Sequence, residues 1–462
     1  MDTIRRTCRM LFAVVLGAPT MIACVDRDPP TSPRKGSSRA DVQALATRLV
    51  TTTADAGPGS LREAITQAQE GDVVRFDPSL AGATITLESQ LVVDKSITID
   101  GPLPNGVSVS GGNKTRVLRV QGDGINIGVY RLRIMEGNVL NDADPEDNNG
   151  GGVMVSGNAL LSLIYSSVVS STAARGGGVY VDDGSAIAIE NSTIGGDQAS
   201  YYGGGIAVSN FGSAYLMNSS VLRNTTFYDA GAGIWVDGDL ELDYTTVAFN
   251  NSYVGAAGIH FPDARTVVMR YSIVSNNTYS NTTSANCSVF YGVPAEALMN
   301  LANDNSCGAF VAIVTDPMLG GAPPNDGTSI ALPFGSPALD RIVPAPNSFC
   351  PSEFSTMTDQ RGVLRPQHGK CDIGAYERIP TPKELIDELV ALSASTPGVS
   401  TGTQSKLLDA RDKLLKGQKK PACSSLKNYI DDIQAQRGKK IAVADADALI
   451  ALATELRTLI GC

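Results

Sequence analysis

A glycine-led repeat runs through the middle of the chain. Short runs of glycine and alanine end at Gly152, Gly178, Gly205, Gly233 and Gly258, so successive copies are 26, 27, 28 and 25 residues long. Self-similarity at a period in this range is typical of a solenoid. A phosphate-binding loop occurs once, between a strand and a helix, whereas strand-like sequence follows each of these runs. The glycines are therefore expected to have a structural role.

Each copy contains three short segments with the pattern of β-strands. The first is apolar at its first and third positions: 153–155, 179–181, 206–208, 234–236 and 259–261. The second has apolar pairs at 161/163, 187/189, 214/216, 240/242 and 267/269. The third has Val168, Ile194, Val221, Val247 or Ile273, followed three positions later by Ser171, Asp197, Asn224, Asn250 or Asn276. Alternation with period two indicates strands with one buried face, and the polar position predicts a stacked turn.

Three strands per copy, stacked about 4.8 Å apart, predict a parallel β-helix. Upstream, Ser60 and Glu63 form a capping box for a short helix from about Leu61 to Gln69, which we expect to cover the N-terminal end of the core. Downstream, apolar residues recur at helical spacing from Thr381 onward and predict four short helices in a separate domain.

Several motifs resemble known families. GSLREAI (59–65), with the later GDVVRF and SITIDGP, resembles the start of bacterial right-handed parallel β-helix proteins. The glycine-led copies with Phe249-Asn250-Asn251 are similar to repeats of polymorphic outer-membrane proteins. SPALD (336–340), DQRGVLRP (359–366) and CDIGAYE (371–377) resemble the end of choice-of-anchor Q surface proteins, and the stretch around 421–426 resembles the FIMAH domain. The resemblance implies a mainly β fold, a right-handed, pectin-lyase-like parallel β-helix with a small all-α C-terminal domain, and surface location. The same solenoid hosts adhesins, lyases and hydrolases, so it implies no single activity.

The N-terminus has the features of an export signal. Arg5, Arg6 and Arg9 precede a short apolar stretch that ends at Cys24, which resembles a bacterial lipoprotein signal with Cys24 as the lipidated residue. An ordinary secretory signal is the alternative, and either one exports the chain. We expect an outer-membrane or cell-surface lipoprotein attached to the membrane by this anchor, with a secreted or periplasmic location as the alternative. The predicted organisation is a signal peptide (1–23), a linker (24–48), the β-helix (49–286), a disulfide-stapled region (287–380) and the helical domain (381–462).

Cysteine usage fits export. Apart from Cys8 in the signal and Cys24, six cysteines remain, and an even count in an exported chain indicates disulfides. Fifteen pairings are possible, and we predict the sequential one, which keeps each bridge within a local unit: Cys287–Cys307, Cys350–Cys371 and Cys423–Cys462. None of the spacings is that of a zinc site.

The charge of the chain disfavours nucleic-acid partners. Residues 25–380 carry 22 basic and 36 acidic residues, and the whole chain has a formal net charge of −10. An acidic body repels phosphate backbones, so no nucleic-acid binding is expected.

The predicted ligand strip lies on the first strand of each copy. The middle residues there point outward: Met154, Tyr180, Ala207, Trp235 and His260. We predict that Tyr180, Trp235 and His260 bind substrate by presenting flat rings to sugars, with Asp183 and Asp263 at the strand exits. The alternative is that these rings are covered by a loop or merely tolerated on a pleated surface.

The sequence gives weaker indications of catalysis than of ligand binding. Hydrolysis of a glycoside needs two suitably spaced carboxylates, and Asp182 and Asp237, two coils apart on the strip, are the candidate pair. No cofactor or metal is predicted: aspartates can hold calcium, which is the alternative, but no calcium-loop signature accompanies them. Glu241 and Asp243 fit a solvated face, and His368 fits a structural loop.

These observations favour a surface adhesin or glycan-binding protein whose partner is a polysaccharide or a host or cell-surface glycan. A polysaccharide lyase or glycoside hydrolase acting along the groove is the second hypothesis. The third is an envelope scaffold whose helical tail binds a protein partner.

Overall fold

The structure, a computed structural model, describes residues 46–140, 148–280, 283–289, 296–320, 329–344, 350 and 357–462. The predicted signal peptide, the lipid-attachment residue Cys24 and almost all of the linker lie outside the described residues. None of the helices within these ranges is long and apolar enough to cross a membrane.

The chain winds into successive coils, each formed by one copy of the repeat, and the equivalent strands of these coils stack into three long sheets. We number the sheets in the order in which the chain passes through them within one coil. Sheet 1 contains β4 (Leu91–Val93), β7 (Leu118–Gln121), β10 (Val153–Ser156), β14 (Val179–Val181), β18 (Ile206–Val208), β22 (Ile234–Val236), β26 (Ile259–Phe261) and β31 (Cys287–Val289). Sheet 2 contains β1 (Thr47–Val50), β2 (Val73–Phe76), β5 (Thr98–Asp100), β8 (Asn126–Tyr130), β11 (Leu160–Ile164), β15 (Ala186–Glu190), β19 (Ser213–Met217), β23 (Asp239–Asp243), β27 (Thr266–Arg270) and β32 (Glu296–Leu298). Sheet 3 contains β3 (Thr84–Thr86), β6 (Val107–Ser110), β9 (Leu132–Met135), β12 (Ser167–Val169), β16 (Thr193–Gly195), β20 (Ser220–Leu222), β24 (Thr246–Ala248), β28 (Ile273–Ser275), β33 (Leu301–Ala302) and β34 (Ile313–Val314).

A fourth, narrow sheet closes the central coils. Sheet 4 contains β13 (Thr172–Ala173), β17 (Gln198–Ala199), β21 (Thr225–Thr226), β25 (Asn251–Ser252), β29 (Thr278–Tyr279) and β30 (Thr283–Ser284). Strands pair in parallel throughout, apart from the antiparallel pair β29–β30. Each central coil therefore has four strands rather than the three expected. Three of the sheets also continue past residue 286, where the period of the sequence is lost, and sheet 3 extends to Val314.

The described residues also contain five α-helices and two short 3-10 helices, Pro78–Leu80 and Gly308–Phe310. Helix α1 (Leu61–Gln67) begins at the predicted capping box, where Ser60 Oγ accepts from Glu63 N at 3.1 Å, and it buries Leu61, Ala64 and Ile65 against the first strands. The C-terminal helices are α2 (Pro382–Ser395), α3 (Thr401–Leu415), α4 (Lys419–Gln436) and α5 (Val443–Ile460). These four helices enclose a hydrophobic core of their own, separate from the core inside the β-helix. The predicted fold class is thereby confirmed.

A polar ladder holds the turns between sheets 3 and 4. Asn224, Asn250 and Asn277 are fully buried, and each Nδ2 donates to a carbonyl of the preceding coil, as Asn250 Nδ2 does to Val221 O at 3.0 Å. Each Oδ1 accepts from the backbone of the preceding coil, so neighbouring coils are bonded side chain to main chain. The predicted position Asn276 is wrong by one residue. Strand β28 pairs Val274 with Val247, which puts Asn277 in the ladder and leaves Asn276 in the left-handed turn at φ 58°.

Asp197 occupies one step of this ladder where later coils have asparagine. Its Oδ1 accepts from Ser171 N at 2.7 Å, while Oδ2 has no hydrogen-bond partner among the described residues. The side chain is fully buried, and burial raises the pKa of Asp197 well above its usual value. At the asparagine steps the equivalent side-chain atom is an Nδ2 that donates to a carbonyl, which an ionised carboxylate cannot do. Asp197 is thus the step of the ladder at which a carboxyl stands in place of a donating amide.

The glycine triplets have a steric explanation. Gly176 has φ 59°, a conformation that glycine adopts without strain, and a Cβ on it would lie 2.3 Å from Val179 O. A Cβ on Gly178 would lie 2.6 Å from Asp197 Oδ2. The glycines therefore let the chain pass tightly beside the ladder, as the repeat predicts.

The six cysteines that follow Cys24 are paired sequentially, as predicted. The bridges are Cys287–Cys307, Cys350–Cys371 and Cys423–Cys462. The first joins β31 to the residue that precedes the short helix at 308–310, and the last joins α4 to Cys462, two positions beyond the end of α5.

We expect Asp197→Asn to stabilise the fold, because an amide donates where a carboxylate cannot. The free energy of unfolding should rise by roughly 1–3 kcal/mol at pH 7. Because the pKa of Asp197 is raised by folding, the folded chain binds a proton that the unfolded chain releases above about pH 4. The free energy of unfolding of the native chain therefore falls as the pH rises above this value. The advantage of the variant should therefore grow with pH.

Urea unfolding between pH 4 and 8 measures this difference. Asp183→Asn, at an exposed position of the same coil, is the matched control and should differ little from the native chain. An advantage of Asp197→Asn that does not change with pH would contradict the raised pKa of Asp197.

Candidate functional site

The predicted strip on sheet 1 is mostly covered. Its outward residues occupy one register across the sheet, as predicted. However, Met154 is 6 % exposed, Tyr180 9 % and Ala207 0 %. Tyr180 thus offers little surface to a ligand, contrary to the expectation of an open ring. Trp235 and His260 are the members of the strip that remain half-buried.

Tyr202 covers the strip from the preceding turn. Its ring stacks on that of Trp235, with centroids 4.0 Å apart and an interplanar angle of 25°. The guanidinium of Arg175 lies 5.4 Å from the centroid of the Tyr202 ring, a cation–π arrangement. On the next coil, His260 Nδ1 is hydrogen-bonded to Ser288 Oγ, and burial lowers the pKa of His260. The Trp235 ring is therefore held in place on one side by Tyr202.

Beside this stack lies an exposed aromatic face that the sequence analysis missed. We define it as Tyr201, Phe227, Tyr228 and Tyr253, which follow the sheet 4 strands β17, β21 and β25 on three consecutive coils. They are 50 %, 41 %, 72 % and 43 % exposed. Tyr201 and Tyr228 have ring centroids 6.1 Å apart, and the Phe227 and Tyr253 rings stack at 5.6 Å with an interplanar angle of 11°.

The register of the coils explains why these rings meet. Thr226 pairs with Ala199 on one side and Ser252 on the other, so the residues just after these strands stack directly above one another. In this register Phe227 lies over Tyr253, and one position later Tyr201 lies over Tyr228. Aromatic pairs 26 or 27 residues apart on successive coils, 227/253 and 201/228, were the available signal. Monomeric proteins seldom expose such contiguous apolar surface without a binding role.

The predicted carboxylates lie on the other side of sheet 1, where its strands end. Asp182 and Asp237 share one register two coils apart, since β14, β18 and β22 pair in sequence. Burial raises the pKa of Asp237, and the charges of Asp263 and Asp183 raise it further. The structure therefore brings Asp183, Asp237 and Asp263 into one electrostatic neighbourhood, across the strip from the aromatic face.

A second titratable cluster lies on the outer face of sheet 2. Arg270 Nε donates to Asp243 Oδ1 at 2.7 Å and Nη1 to Glu296 Oε2 at 2.8 Å, and Nη2 also contacts Glu241. Asp243 is fully buried, so its assignment to a solvated face is wrong. Burial raises the pKa of Asp243 to about 6 and Arg270 opposes that rise. Because the arginine bridges the carboxylates, we interpret the cluster as a structural ion network.

The C-terminal motifs make structural contacts on the outside of sheet 3. Gln360 Nε2 donates to Thr193 Oγ1 at 2.7 Å, and its Oε1 accepts from Ser220 Oγ at 2.5 Å. Arg365 forms a buried ion pair with Glu377 at 2.8 Å. The motifs resembling choice-of-anchor Q proteins thus fasten this segment across the central coils.

His368 links the same segment to the helical domain. Its Nδ1 lies 2.9 Å from Glu455 Oε1 on α5, and its Nε2 lies 3.4 Å from Glu388 on α2. Hydrogen bonds to both carboxylates raise the pKa of His368 to about 10, so this contact is charged at neutral pH. The expected structural role of His368 is consistent with this geometry.

Among the described residues, no three histidine, cysteine or acidic side chains are grouped in a way that would hold a metal ion. The described part of the chain thus offers no obvious metal centre.

Comparison with known proteins supports the fold and little else. Residues 136–293 match a family model described as a right handed beta helix region, which confirms the predicted hand and architecture of the solenoid. No curated protein matches the sequence. A similar solved structure is the crystal structure of pectate lyase Pel9A, with 11 % identity and a TM-score of 0.37 over 73 % of this chain and 98 % of that one. We draw no conclusion about activity from it. The resemblances to polymorphic outer-membrane, choice-of-anchor Q and FIMAH proteins stay predictions.

The stack of Tyr202 on Trp235 is testable because Trp235 is the single tryptophan. We expect Tyr202→Ala to increase quenching of Trp235 by acrylamide and to shift its emission to the red, since one ring face becomes solvated. Tyr201→Ala is the control, because Tyr201 contacts Tyr228. Equal quenching in the native chain and Tyr202→Ala would contradict the stack.

Proposed function

We propose that the chain is an exported surface protein that binds a glycan on the aromatic face. The observation that carries the proposal is the exposure of four aromatic rings on three consecutive coils, beside the half-buried Trp235. Aromatic rings with polar tips suit surfaces where one side of the ligand is apolar and the other is wet. A pyranose ring has such an amphipathic shape, and it is about as long as the spacing between coils.

Polar groups around the face suit sugar hydroxyls. Asp229 directly follows Tyr228, and its charge acts on both Tyr202 and His260, so its carboxylate lies close to the Trp235 stack. Such groups fix the orientation of a ligand whose apolar faces pack on the rings.

Attachment to the membrane through Cys24 is part of this proposal. We expect Cys24→Ser to release the protein from membrane fractions, because the chain then lacks the acyl anchor. Immunoblots of membrane and soluble fractions measure this. The conservative substitution of Cys8, inside the predicted signal, should leave the protein in the membrane fraction. Retention of the Cys24 variant would contradict the lipoprotein assignment.

Binding is expected to depend on the most exposed ring. Titrating the full chain with neutral cello-, xylo- and chito-oligosaccharides should give a saturable change in Trp235 fluorescence for at least one of them. We expect Tyr228→Ala to weaken that binding by about 1–2 kcal/mol, or roughly five- to thirtyfold in Kd. Phe334→Ala is the matched control, because Phe334 is equally exposed but lies in the C-terminal segment.

If no oligosaccharide produces a Tyr228-dependent change, glycan binding on this face is excluded. If Phe334→Ala weakens the binding as much as Tyr228→Ala does, glycan binding on this face is likewise excluded.

Hydrolysis along the strip is the second candidate, favoured by the raised pKa of Asp237. Two coils separate Asp182 from Asp237, roughly 10 Å, close to the spacing of carboxylates in inverting glycosidases. A raised pKa suits a general acid, and Asp182 would then act as the base. Release of new reducing ends that is lost in the Asp182→Asn, Asp237→Asn double variant supports this activity. Binding without any product supports a binding protein.

A further inference from the structure

One end of the helical domain is formed by the ends of three helices. Helix α3 ends at Leu415, and α4 begins four residues later at Lys419. The disulfide Cys423–Cys462 holds the end of α5 beside the first turns of α4, with the two Cα atoms 5.7 Å apart. We define the helical tip as residues 415–420 together with Leu459 in the last turn of α5.

The sequence around the helical tip is basic, although the chain as a whole has a formal net charge of −10. Residues 413–430 contain five lysines and no acidic residue. Two of these lysines have acidic partners. Lys413 lies 2.6 Å from Asp409. Lys427 lies 3.0 Å from Asp431. These two charges are therefore balanced within the domain.

The other three lysines, Lys416, Lys419 and Lys420, belong to the tip itself. All three are exposed, and none forms an ion pair or donates a side-chain hydrogen bond within the part of the chain that the structure describes. The charge of Lys416 acts on Asp409, but Lys413 and Ser425 already bind that carboxylate. The tip therefore presents positive charge to the solvent.

Exposed leucines lie among these charges. Leu415 is 53 % exposed at the end of α3, and Leu459 is 39 % exposed. Leu408 is 47 % exposed on the same face of α3 as Leu415, since seven residues make about two helical turns. Other residues of these helices form the core of the domain, so the three leucines are not needed to fill it.

We propose that the helical tip binds the surface of an anionic lipid bilayer, with its leucines at the headgroup boundary and its lysines beside the lipid phosphates. Protein segments that lie at a membrane interface combine lysine or arginine with large apolar side chains in this way. An acidic polysaccharide would pair with the lysines and leave the leucines in water, so the combination favours a lipid surface. Each lysine close to such a surface strengthens binding about fivefold.

This contact adds to the attachment proposed at Cys24 and does not replace it. Stable attachment takes two signals, whereas a single one gives reversible binding. A chain that lacks the anchor is therefore still expected to leave the membrane when fractions are washed. The contact is independent of glycan binding on the aromatic face.

Cosedimentation with lipid vesicles tests the proposal on residues 45–462, which form one compact unit without the preceding segment. We expect binding to vesicles that contain phosphatidylglycerol, little binding to phosphatidylcholine alone, and release at high salt. Replacing the adjacent pair by Lys419→Gln and Lys420→Gln should weaken the binding about thirtyfold. Leu415→Ser should weaken it about tenfold, because this side chain no longer gains from leaving water.

Matched controls lie at the opposite end of the helical domain. Lys439→Gln with Lys440→Gln removes the same charge from the exposed turn between α4 and α5. Val443→Ser removes an apolar side chain that is 46 % exposed. Both controls should bind vesicles as the native chain does. Thermal unfolding should be the same in all variants, since every replaced side chain is exposed.

Three results would overturn the proposal: no binding to phosphatidylglycerol vesicles, equal binding to both kinds of vesicle, or equal losses in the tip and control variants. Polygalacturonate provides the comparison with a soluble polyanion. If the Lys419 and Lys420 pair is needed to bind polygalacturonate but not vesicles, the partner is an acidic polysaccharide and the lipid proposal is wrong.

Discussion

The in-register stacking of each coil on the one before it is the constraint on which the rest of the structure depends. Main-chain hydrogen bonds hold the stack in four sheets, and buried side chains hold it at the corners. The ladder of Asn224, Asn250 and Asn277 bonds each turn to its neighbours. A second ladder between sheets 2 and 3 does the same, as Ser192 N bonds to Ser219 Oγ at 3.2 Å. Since buried main-chain groups must be paired, a shift of one residue would leave a whole turn unsatisfied.

This register also determines what the surface can do. Residues 26 or 27 positions apart in the sequence lie next to each other in space. One residue type that recurs at the same turn of successive coils therefore forms a continuous surface. The aromatic face forms in this way after sheet 4, and the carboxylates gather where sheet 1 ends. Other parts of the outside of the solenoid are covered. The C-terminal segment crosses sheet 3 through Gln360 and Arg365, and Tyr202 covers much of sheet 1. The uncovered surfaces are thus the ones to which functions can be assigned.

The repeat allowed most of the fold to be predicted, because glycine runs and period-two alternation report directly on coils and strands. The misplacement of the ladder at Asn276 has a simple cause. Ile273 and Val274 are both apolar and are followed by two asparagines, so the pattern fits either register. The left-handed turn decides between them, since Asn276 at φ 58° matches Phe249 at φ 57° on the coil before.

The sites were harder to predict because they depend on contacts between distant segments. Tyr180 has the outward position expected of it, yet its covering by a neighbouring turn has no signature in its own strand. Asp243 has a position that its strand pattern assigns to the solvated face, but Arg270 from the following coil binds it, and Arg270 also binds Glu296 on the coil after that. The C-terminal segment bonds Gln360 to Thr193, although the two residues are 167 positions apart in the sequence. No local pattern contains that contact.

The central claim is that coil register creates a glycan-binding surface from the aromatic turns. Hydrogen–deuterium exchange of the full chain, with and without a saturating oligosaccharide that changes Trp235 fluorescence, tests it most directly. The account predicts protection of amides in the turns at 200–202, 227–229 and 253–255, with the helical domain unchanged. Protection confined to the helical domain, or none in these three turns, would contradict it.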